Sequence, residues 1–261
     1  MSLDIFIVDA FTDVPFKGNP AGVCITDEPL ADELMSKIAT EINLSETAFL
    51  FPKEEGYSLR WFTPTAEVEL CGHATLASAH ILWETSILSA GEQANFYTKS
   101  GLLTAKKQDT WIQLNFPVEP VTECSYPEEL EDALHINPQY VGKNRFDYLI
   151  EVESEDIIRN LKPNFSLLKK IQTRGILVTS KSNEFDFISR GFFPAVGINE
   201  DPVTGSAHCA LAPYWSEKLK KHELYAFQAS ARGGILKIQM DGDRVNMSGQ
   251  AVTVMKSQIF I

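Results

Sequence analysis

Four polar residues have the types and positions expected of a proton-transfer site. Glu46 lies at a turn between a helical segment and an apolar one. A carboxyl group there can act as a general acid or base near neutral pH if an apolar setting raises its pKa. His73 and Ser206 each follow a glycine that opens a helical segment, and Asp201 lies just before the second of these segments. Together these residue types point to acid/base chemistry on a small substrate.

Each of these residues also has an ordinary structural interpretation. Glu46 could equally be a solvated side chain at the start of a strand. His73 and Asp201 could equally be helix caps. Ser206 is also readable as a small residue of a first helical turn. At His73 the positive end of the helix dipole disfavours an imidazolium, so a neutral histidine is predicted. The residues alone leave both interpretations open.

The two helical segments belong to a repeat within the chain. Residues 62–79, FTPTAEVELCGHATLASA, and residues 192–212, FFPAVGINEDPVTGSAHCALA, both carry Phe-x-Pro and then Gly-x-Ala-x-x-Ala-x-Ala. Alanines at three- and four-residue spacing are typical of a helix packed on all sides, so each copy predicts a strand, a loop and a buried central helix. The chain is therefore predicted to contain two similar halves.

The starts of these helices supply the predicted binding groups. Gly72 and Gly205 begin helices whose first backbone N–H groups have no partner within the helix, and these groups and the helix dipole favour an anion. We therefore predict that Gly72, His73, Gly205 and Ser206 bind a substrate carboxylate between two facing helix starts.

The strand and helix patterns predict an α+β protein. Short apolar runs bounded by turn residues predict strands before and after each central helix. The proline-rich run 117–127 is the predicted linker, which divides the chain into residues 1–117 and 118–261, with a last strand that can pack back on the first half. Pro213 lies within the second central helix and is predicted to kink that helix or end it early.

Length, charge and cysteine content exclude several classes of protein. The 261 residues suit two domains, and a net charge of -12 without a long basic cluster argues against nucleic acid as a partner. The first residues lack a basic signal-peptide region, and no apolar run approaches the ~18 residues of a membrane span, so a cytoplasmic protein is predicted. The scattered cysteines and histidines predict reduced thiols and no metal site, and nucleotide-binding motifs are absent, so no cofactor is predicted.

The order of these motifs resembles the phenazine-biosynthesis PhzF-like isomerases. The resemblance rests on DIFIVDAFTDVPFKGNPAGV, SETAFL, RWFTPTAEVELCGHATLASAH, GINEDPVTGSAHCALAPYW, QASARGGIL and DRVNMSGQAV, which span nearly the whole chain in order. It implies the diaminopimelate epimerase-like fold, in which two domains each wrap a mixed β-sheet or barrel around a central helix and the site lies in the cleft between them. It also implies a homodimer without a cofactor.

The resemblance further implies roles for individual residues. A glutamate at the position of Glu46 moves a proton on the substrate, and residues at the positions of His73, Asp201 and Ser206 surround it. The sequence therefore predicts a cofactor-independent isomerase that shifts a proton on a small carboxylic acid. In the best-known member the substrate is a dihydro-hydroxyanthranilate, but the resemblance does not specify the substrate of this chain.

Two other functions remain open. A racemase or epimerase would pair Glu46 or Cys71 with a second base, and a cysteine before a helix start can have a lowered thiol pKa. The matching place in the second half holds residues 201–203, Asp-Pro-Val, and no cysteine, which argues against a two-thiol racemase. The other alternative is a ligand-binding or interaction module that retains the fold without turnover.

Overall fold

The computed structural model describes residues 2–89 and 91–261. Its strands are β1 (Ser2–Ala10), β2 (Asn19–Ile25), β3 (Thr47–Lys53), β4 (Gly56–Phe62), β5 (Glu67–Val68), β6 (Ala94–Thr98), β7 (Gly101–Gln108), β8 (Trp111–Pro117), β9 (Thr122–Glu123), β10 (Tyr140–Lys143), β11 (Asp147–Glu151), β12 (Gly175–Lys181), β13 (Phe187–Phe193), β14 (Ile198–Asp201), β15 (Glu223–Gln228), β16 (Gly234–Asp241), β17 (Arg244–Gly249) and β18 (Ala251–Phe260). Its α-helices are α1 (Asp32–Ile42), α2 (Gly72–Glu84), α3 (Glu128–Leu134), α4 (Glu155–Asn160), α5 (Phe165–Leu168) and α6 (Gly205–Leu219). Among the described residues, no helix combines the length and the apolar character needed to cross a membrane.

The chain folds into two compact units. Unit 1 comprises residues 2–115 and Met247–Ile261, and unit 2 comprises Phe116–Asn246. β18 pairs antiparallel with β1, from Ser2 opposite Phe260 to Ala10 opposite Ala251. The end of the chain therefore belongs to the first unit, and the units are not two successive halves of the sequence.

Unit 1 is a mixed sheet packed against α2. β1 is antiparallel to β2, β2 is parallel to β3, and β3 is antiparallel to β4. β4 is parallel to β6, which is antiparallel to β7. α2 lies against β1, β2, β3 and β18, and every residue from 73 to 79 is buried. The alanines of this helix let the strands approach it closely, since protein interiors are packed without large voids.

Unit 2 repeats this order of strand pairing. β10 is antiparallel to β11, β11 is parallel to β12, β12 is antiparallel to β13, β13 is parallel to β15, and β15 is antiparallel to β16. In each unit a short strand pairs antiparallel with the fourth of these strands just before the central helix: β5 with β4, and β14 with β13. α6 takes the place of α2 and contacts β11, β15 and β16. The prediction of two similar units, each built around a central helix, is confirmed.

Each unit also buries an apolar cluster between its sheet and its smaller helices, which are α1 in unit 1 and α3, α4 and α5 in unit 2. In unit 1, α1 adds Met35 and Ile38 to Leu3, Phe49 and Phe62. In unit 2 the cluster joins α3, α4 and α5 to the sheet, through residues that include Leu130, Ile158, Leu168, Ile176 and Phe192. The burial of these side chains is the main favourable contribution to the folding of both units.

α6 continues through Pro213 to Leu219. Of the two predicted effects of Pro213, the early end of the helix is wrong, and the kink stays a prediction. Proline has no N–H group to donate to the carbonyl of Cys209 four residues earlier. The backbone N–H of Glu119 donates to that carbonyl instead, at 2.8 Å. A group outside the helix therefore satisfies the acceptor that the proline leaves.

Among the described residues, no disulfide bond joins any of the four cysteines. Burial raises the pKa of Cys24 and the pKa of Cys209 to about 12. These two thiols stay protonated at neutral pH and behave as small apolar side chains.

His208 makes the stability of the protein sensitive to acid. Its Nδ1 donates to the carbonyl of Thr204 at 2.8 Å, and its Nε2 is buried without a partner among the described residues. Burial lowers the pKa of His208 to about 4. The unfolded chain, in which histidine has its ordinary pKa near ~6.5, therefore binds one more proton between these two pH values.

We expect the free energy of unfolding to fall as the pH falls from 6.5 towards 4, with a contribution from His208 of up to ~1.4 kcal/mol per pH unit. Urea denaturation at a series of pH values measures this free energy of unfolding. His208→Leu should flatten the pH dependence, whereas His222→Gln, at an exposed histidine, should leave it unchanged. An equal slope in wild type and His208→Leu would show that His208 does not titrate differently on unfolding.

Candidate active site

Glu46 is a buried carboxyl group placed by the start of β3. It is the residue before the strand, and its carbonyl accepts a hydrogen bond from the N–H of Gly22 at 3.1 Å. Its side chain is only 12% exposed. Burial raises the pKa of the carboxyl group, and hydrogen bonds from Ser45 and Cys71 oppose the rise. The environment therefore shifts the carboxyl pKa in the direction that proton transfer near neutral pH requires, and Glu46 is not a solvated side chain.

His73 is the second residue of α2 and lies directly beside Glu46. The Nε2 atom of His73 is 3.3 Å from Oε2 of Glu46, and Nδ1 is 3.2 Å from the Asn19 amide nitrogen. Because an amide N–H₂ group can only donate, Nδ1 is the acceptor, and the proton of a neutral His73 lies on Nε2. The same Glu46 oxygen is buried and has no aligned hydrogen-bond partner among the described residues. This oxygen can therefore accept a hydrogen bond or a proton from a ligand.

Cys71 completes the cluster in unit 1. It is the N-cap residue of α2, is buried, and places its sulfur 3.5 Å from Nδ1 and 4.0 Å from Nε2 of His73. The 3.5 Å contact is a hydrogen bond between the thiol and the imidazole, so Cys71 belongs to the same polar cluster as His73. Glu46, Cys71 and His73 each offer one ligand atom within 4.8 Å of the others. The cluster therefore also has the composition of a three-residue metal site.

Asp201 lies in a hydrogen-bonded network at the start of α6 in unit 2. Its carboxylate accepts from the hydroxyl of Thr204 at 2.6 Å. The Gln228 amide donates to the carbonyl of Asp201 and accepts from the N–H of Thr204, both at 2.8 Å. Asp201 is 8% exposed, and Thr204, not Asp201, is the N-cap residue of α6. The aspartate therefore orients the residue before the helix instead of capping the helix itself.

Ser206 is half-buried in the first turn of α6 and contacts an arginine. Nη1 of Arg174 donates to Oγ of Ser206 at 3.2 Å. The same guanidinium donates to both carboxylate oxygens of the buried Asp147, with 2.9 Å between Nε and Oδ1. Since the hydroxyl oxygen accepts from Arg174, its own hydrogen is available to donate to a ligand.

Neither central helix has a side-chain cap at its N-terminus. The side chains of the N-cap residues, Cys71 for α2 and Thr204 for α6, make no capping hydrogen bond to the backbone of the first turn. Both helix starts therefore have the feature that the carboxylate-binding prediction requires. The binding of one carboxylate by both helices stays a prediction.

The structure brings together most of the residues singled out in the sequence, within each unit. Glu46 and His73 lie together in unit 1 with Cys71, and Asp201 and Ser206 lie at the start of α6 in unit 2. Sequence reasoning missed the partners that orient them: Asn19, Asp147, Arg174, Thr204 and Gln228. One signal was present, because Arg174 precedes an apolar strand in TRGILV much as Glu46 does in SETAFL.

Comparison with known proteins gives a consistent result over the whole chain. The family model for PhzC-PhzF, phenazine biosynthesis-like protein, matches residues 8–257. The chain is 62% identical to a protein of Halalkalibacterium halodurans named an uncharacterized isomerase, with 100% of both chains covered. A crystal structure of a PhzF-family phenazine biosynthesis protein from Enterococcus faecalis matches at 39% identity, with a TM-score of 0.97 and full coverage of both chains. A "Predicted Epimerase" of Pseudomonas aeruginosa, at 17% identity over 99% of each chain, shares the fold with a TM-score of 0.80.

Proposed function

Because the chain belongs to the PhzC-PhzF family of phenazine biosynthesis-like proteins, we propose that it is a cofactor-independent isomerase that moves a proton on a small carboxylic acid. One observation carries the proposal: Glu46 is a buried carboxyl group with a raised pKa, and its Oε2 lies beside His73 without an aligned partner. The naming of relatives as isomerases supports the same reaction class.

In the proposed reaction Glu46 is the proton carrier. The ionised carboxylate takes a proton from an acidic C–H bond of the substrate, the electron pair moves into the adjacent π-system, and the carboxyl group returns the proton to another carbon. The N–H of neutral His73 stabilises the negative charge that develops. Gly72, Gly205 and Ser206 bind the substrate carboxylate. Asp201 orients Thr204, the N-cap residue of α6, by accepting a hydrogen bond from its hydroxyl.

Proton–deuterium exchange measured by NMR tests the proposal. The protein is incubated in D₂O with a panel of small carboxylic acids that carry an acidic C–H, including dihydro-hydroxyanthranilate. We expect exchange or double-bond migration with at least one acid. Binding of these acids without any exchange would favour the ligand-binding module instead.

Two controls separate the proposed reaction from its alternatives. Deuterium entering with inversion at one stereocentre would identify a racemase or epimerase. Activity that a chelator abolishes and zinc restores would assign Glu46, Cys71 and His73 to a metal site. The isomerase proposal expects neither result.

We expect Ser206→Ala and His73→Ala to weaken the binding of a carboxylate ligand by about tenfold or more each, because a hydrogen bond to a charged group contributes ~1.5–3 kcal/mol. Isothermal titration calorimetry with an acid from the exchange panel measures the dissociation constant. Ser216→Ala, in the last part of α6, is the control, since its hydroxyl donates to the carbonyl of Lys221. An unchanged dissociation constant in both test variants would contradict carboxylate binding by the helix starts.

A further inference from the structure

The two units place different residues at corresponding positions. β3 begins at Thr47 and β12 begins at Gly175, and each opens a parallel ladder with the strand before it in the sheet. Glu46 and Arg174 are the residues immediately before these two strands. In the internal repeat, Arg174 therefore holds the position in unit 2 that Glu46 holds in unit 1.

The corresponding contacts also match. Glu46 reaches the second residue of α2, with 3.3 Å between its Oε2 and Nε2 of His73. Arg174 reaches the second residue of α6, with 3.2 Å between its Nη1 and Oγ of Ser206. In both units, the residue before the strand contacts the second residue of the central helix. That residue is a glutamate before β3 in unit 1 and an arginine before β12 in unit 2.

Arg174 is held rigidly and keeps hydrogen-bonding capacity. Its bidentate contact with Asp147, which is only 2% exposed, fixes the plane of the guanidinium. Phe146 and Phe193 pack against the same group, with centroid distances of 5.0 Å and 5.7 Å. A Cβ atom at Gly175 would lie 2.3 Å from the Phe193 ring and 2.9 Å from Oδ1 of Asp147, so the arrangement requires glycine there.

The free donors of Arg174 are accessible to a ligand. A guanidinium has five N–H bonds, of which Asp147 and Ser206 take three, leaving two without a partner among the described residues. The Arg174 side chain is 32% exposed. A cation that is fixed, partly exposed and rich in donors suits a carboxylate or another oxyanion.

We propose that Arg174 is a specificity-determining residue that, with Ser206, binds an anionic oxygen group of the substrate in unit 2. This inference rests on the proposed function and assigns a role to the counterpart of Glu46. It also supplies a reason for one-base chemistry, because the counterpart of Glu46 in unit 2 is a guanidinium, which cannot act as a second base.

Binding of malonate tests the proposal without turnover. We expect calorimetry to detect malonate binding to the wild type and no binding of the neutral malonamide. Since Arg174→Gln alone would leave Asp147 buried without its partner, the main variant is Arg174→Gln/Asp147→Asn, which removes both charges. We expect the double variant to bind malonate about tenfold more weakly or not at all. The affinity of Arg174→Lys should lie between those of the wild type and the double variant, because lysine keeps the charge but cannot make bidentate hydrogen bonds.

Arg145→Gln is the matched control, because Arg145 is a largely exposed arginine of unit 2 that also packs on Phe146. We expect this variant to bind malonate as the wild type does. Equal malonate affinity in the wild type and a folded Arg174→Gln/Asp147→Asn protein would overturn the proposal, as would absence of malonate binding to the wild type.

Kinetics separate a binding role from a purely structural one. With an acid that exchanges, the double variant should raise KM about tenfold or more and leave the pH dependence of kcat, which Glu46 sets, unchanged. A fall in kcat at unchanged KM would overturn the proposal. Glu46→Gln should show the opposite pattern, with malonate binding retained and exchange lost, so a failure of the proposed isomerase reaction is distinguishable from a failure of the Arg174 assignment.

Discussion

Glu46→Gln is expected to lower the rate of substrate proton exchange by about 10²–10⁴-fold, the range that a positioned general acid or base contributes. The glutamine side chain has nearly the same shape as the glutamate and cannot carry the proton. Mass spectrometry or NMR of the substrate in D₂O measures the rate in both proteins. Exchange at the wild-type rate in the variant would remove Glu46 from the mechanism.

The same substitution provides its own control for folding. Burial raises the pKa of Glu46, so the folded protein holds this proton more tightly than the unfolded chain does. Stability from this group is therefore present at low pH and is lost as the pH rises through the raised pKa. At pH values above that pKa, glutamine removes the cost of a buried ionised carboxylate, and we expect the variant to unfold there at the same temperature as the wild type or higher. If the Glu46→Gln variant is as stable as the wild type but no longer exchanges the substrate proton, the loss is due to the missing proton carrier and not to unfolding.

The pH dependence of the wild type follows from the same pKa. The first step needs the ionised carboxylate, so kcat/KM should rise as the pH increases through the raised pKa of Glu46. Ser45 and Cys71 oppose the rise in this pKa by hydrogen bonding. Cys71→Ala should therefore move the rising limb of the profile to higher pH, and a profile that stays in place would show that the thiol does not affect the carboxyl group.

Gly18→Ala is expected to lower the free energy of unfolding by at least ~3 kcal/mol, because strain and overpacking act together at this position. Gly18 has a φ of +62°, and an added Cβ would lie 2.1 Å from the carbonyl oxygen of Ala10 and 2.7 Å from Cγ2 of Thr12. The closest of these atoms is a backbone atom at the end of β1, so the backbone must move to admit a methyl group. Urea denaturation of the wild type and the variant measures the loss.

This loss should extend to activity, because Gly18 precedes Asn19, whose amide contacts Nδ1 of His73. A shifted loop would release the ring of His73 and lower the exchange rate with it. Gly91→Ala is the matched control, since no described atom lies within 4 Å of a Cβ there, and we expect a change within about 0.5 kcal/mol. Equal destabilisation by the two substitutions would mean that the Gly18 loop can adjust to a side chain.

Features set by short-range patterns could be predicted from the sequence. The span of α2, Gly72–Glu84, and the start of α6 at Gly205 follow from a glycine and from alanines at helical spacing. The repeat of these signals predicted two similar units. The shorter strands, including β10 and β14, are not recognisable in the sequence, because strands of four residues carry little alternation and form only when a partner strand is present.

The end of α6 shows where local reasoning fails. Pro213 breaks an isolated helix by local rules, yet α6 continues because the N–H of Glu119, from a distant part of the sequence, reaches the carbonyl of Cys209. No sequence pattern around Pro213 predicts that the N–H of Glu119 will be the donor.

The sequence by itself determined the types of the chemical groups, the two helix starts and the repeated design, because each depends on residues close together in the chain. Only the tertiary structure decided how those groups are tuned. It buried Glu46 and so raised the pKa of its carboxyl group, and it placed Asn19 against His73 across 54 residues of sequence. It likewise joined Arg174 to Ser206 across 32 residues. Burial and long-range contact arise only when strands pair and helices pack, so neither property is present in any short stretch of the chain.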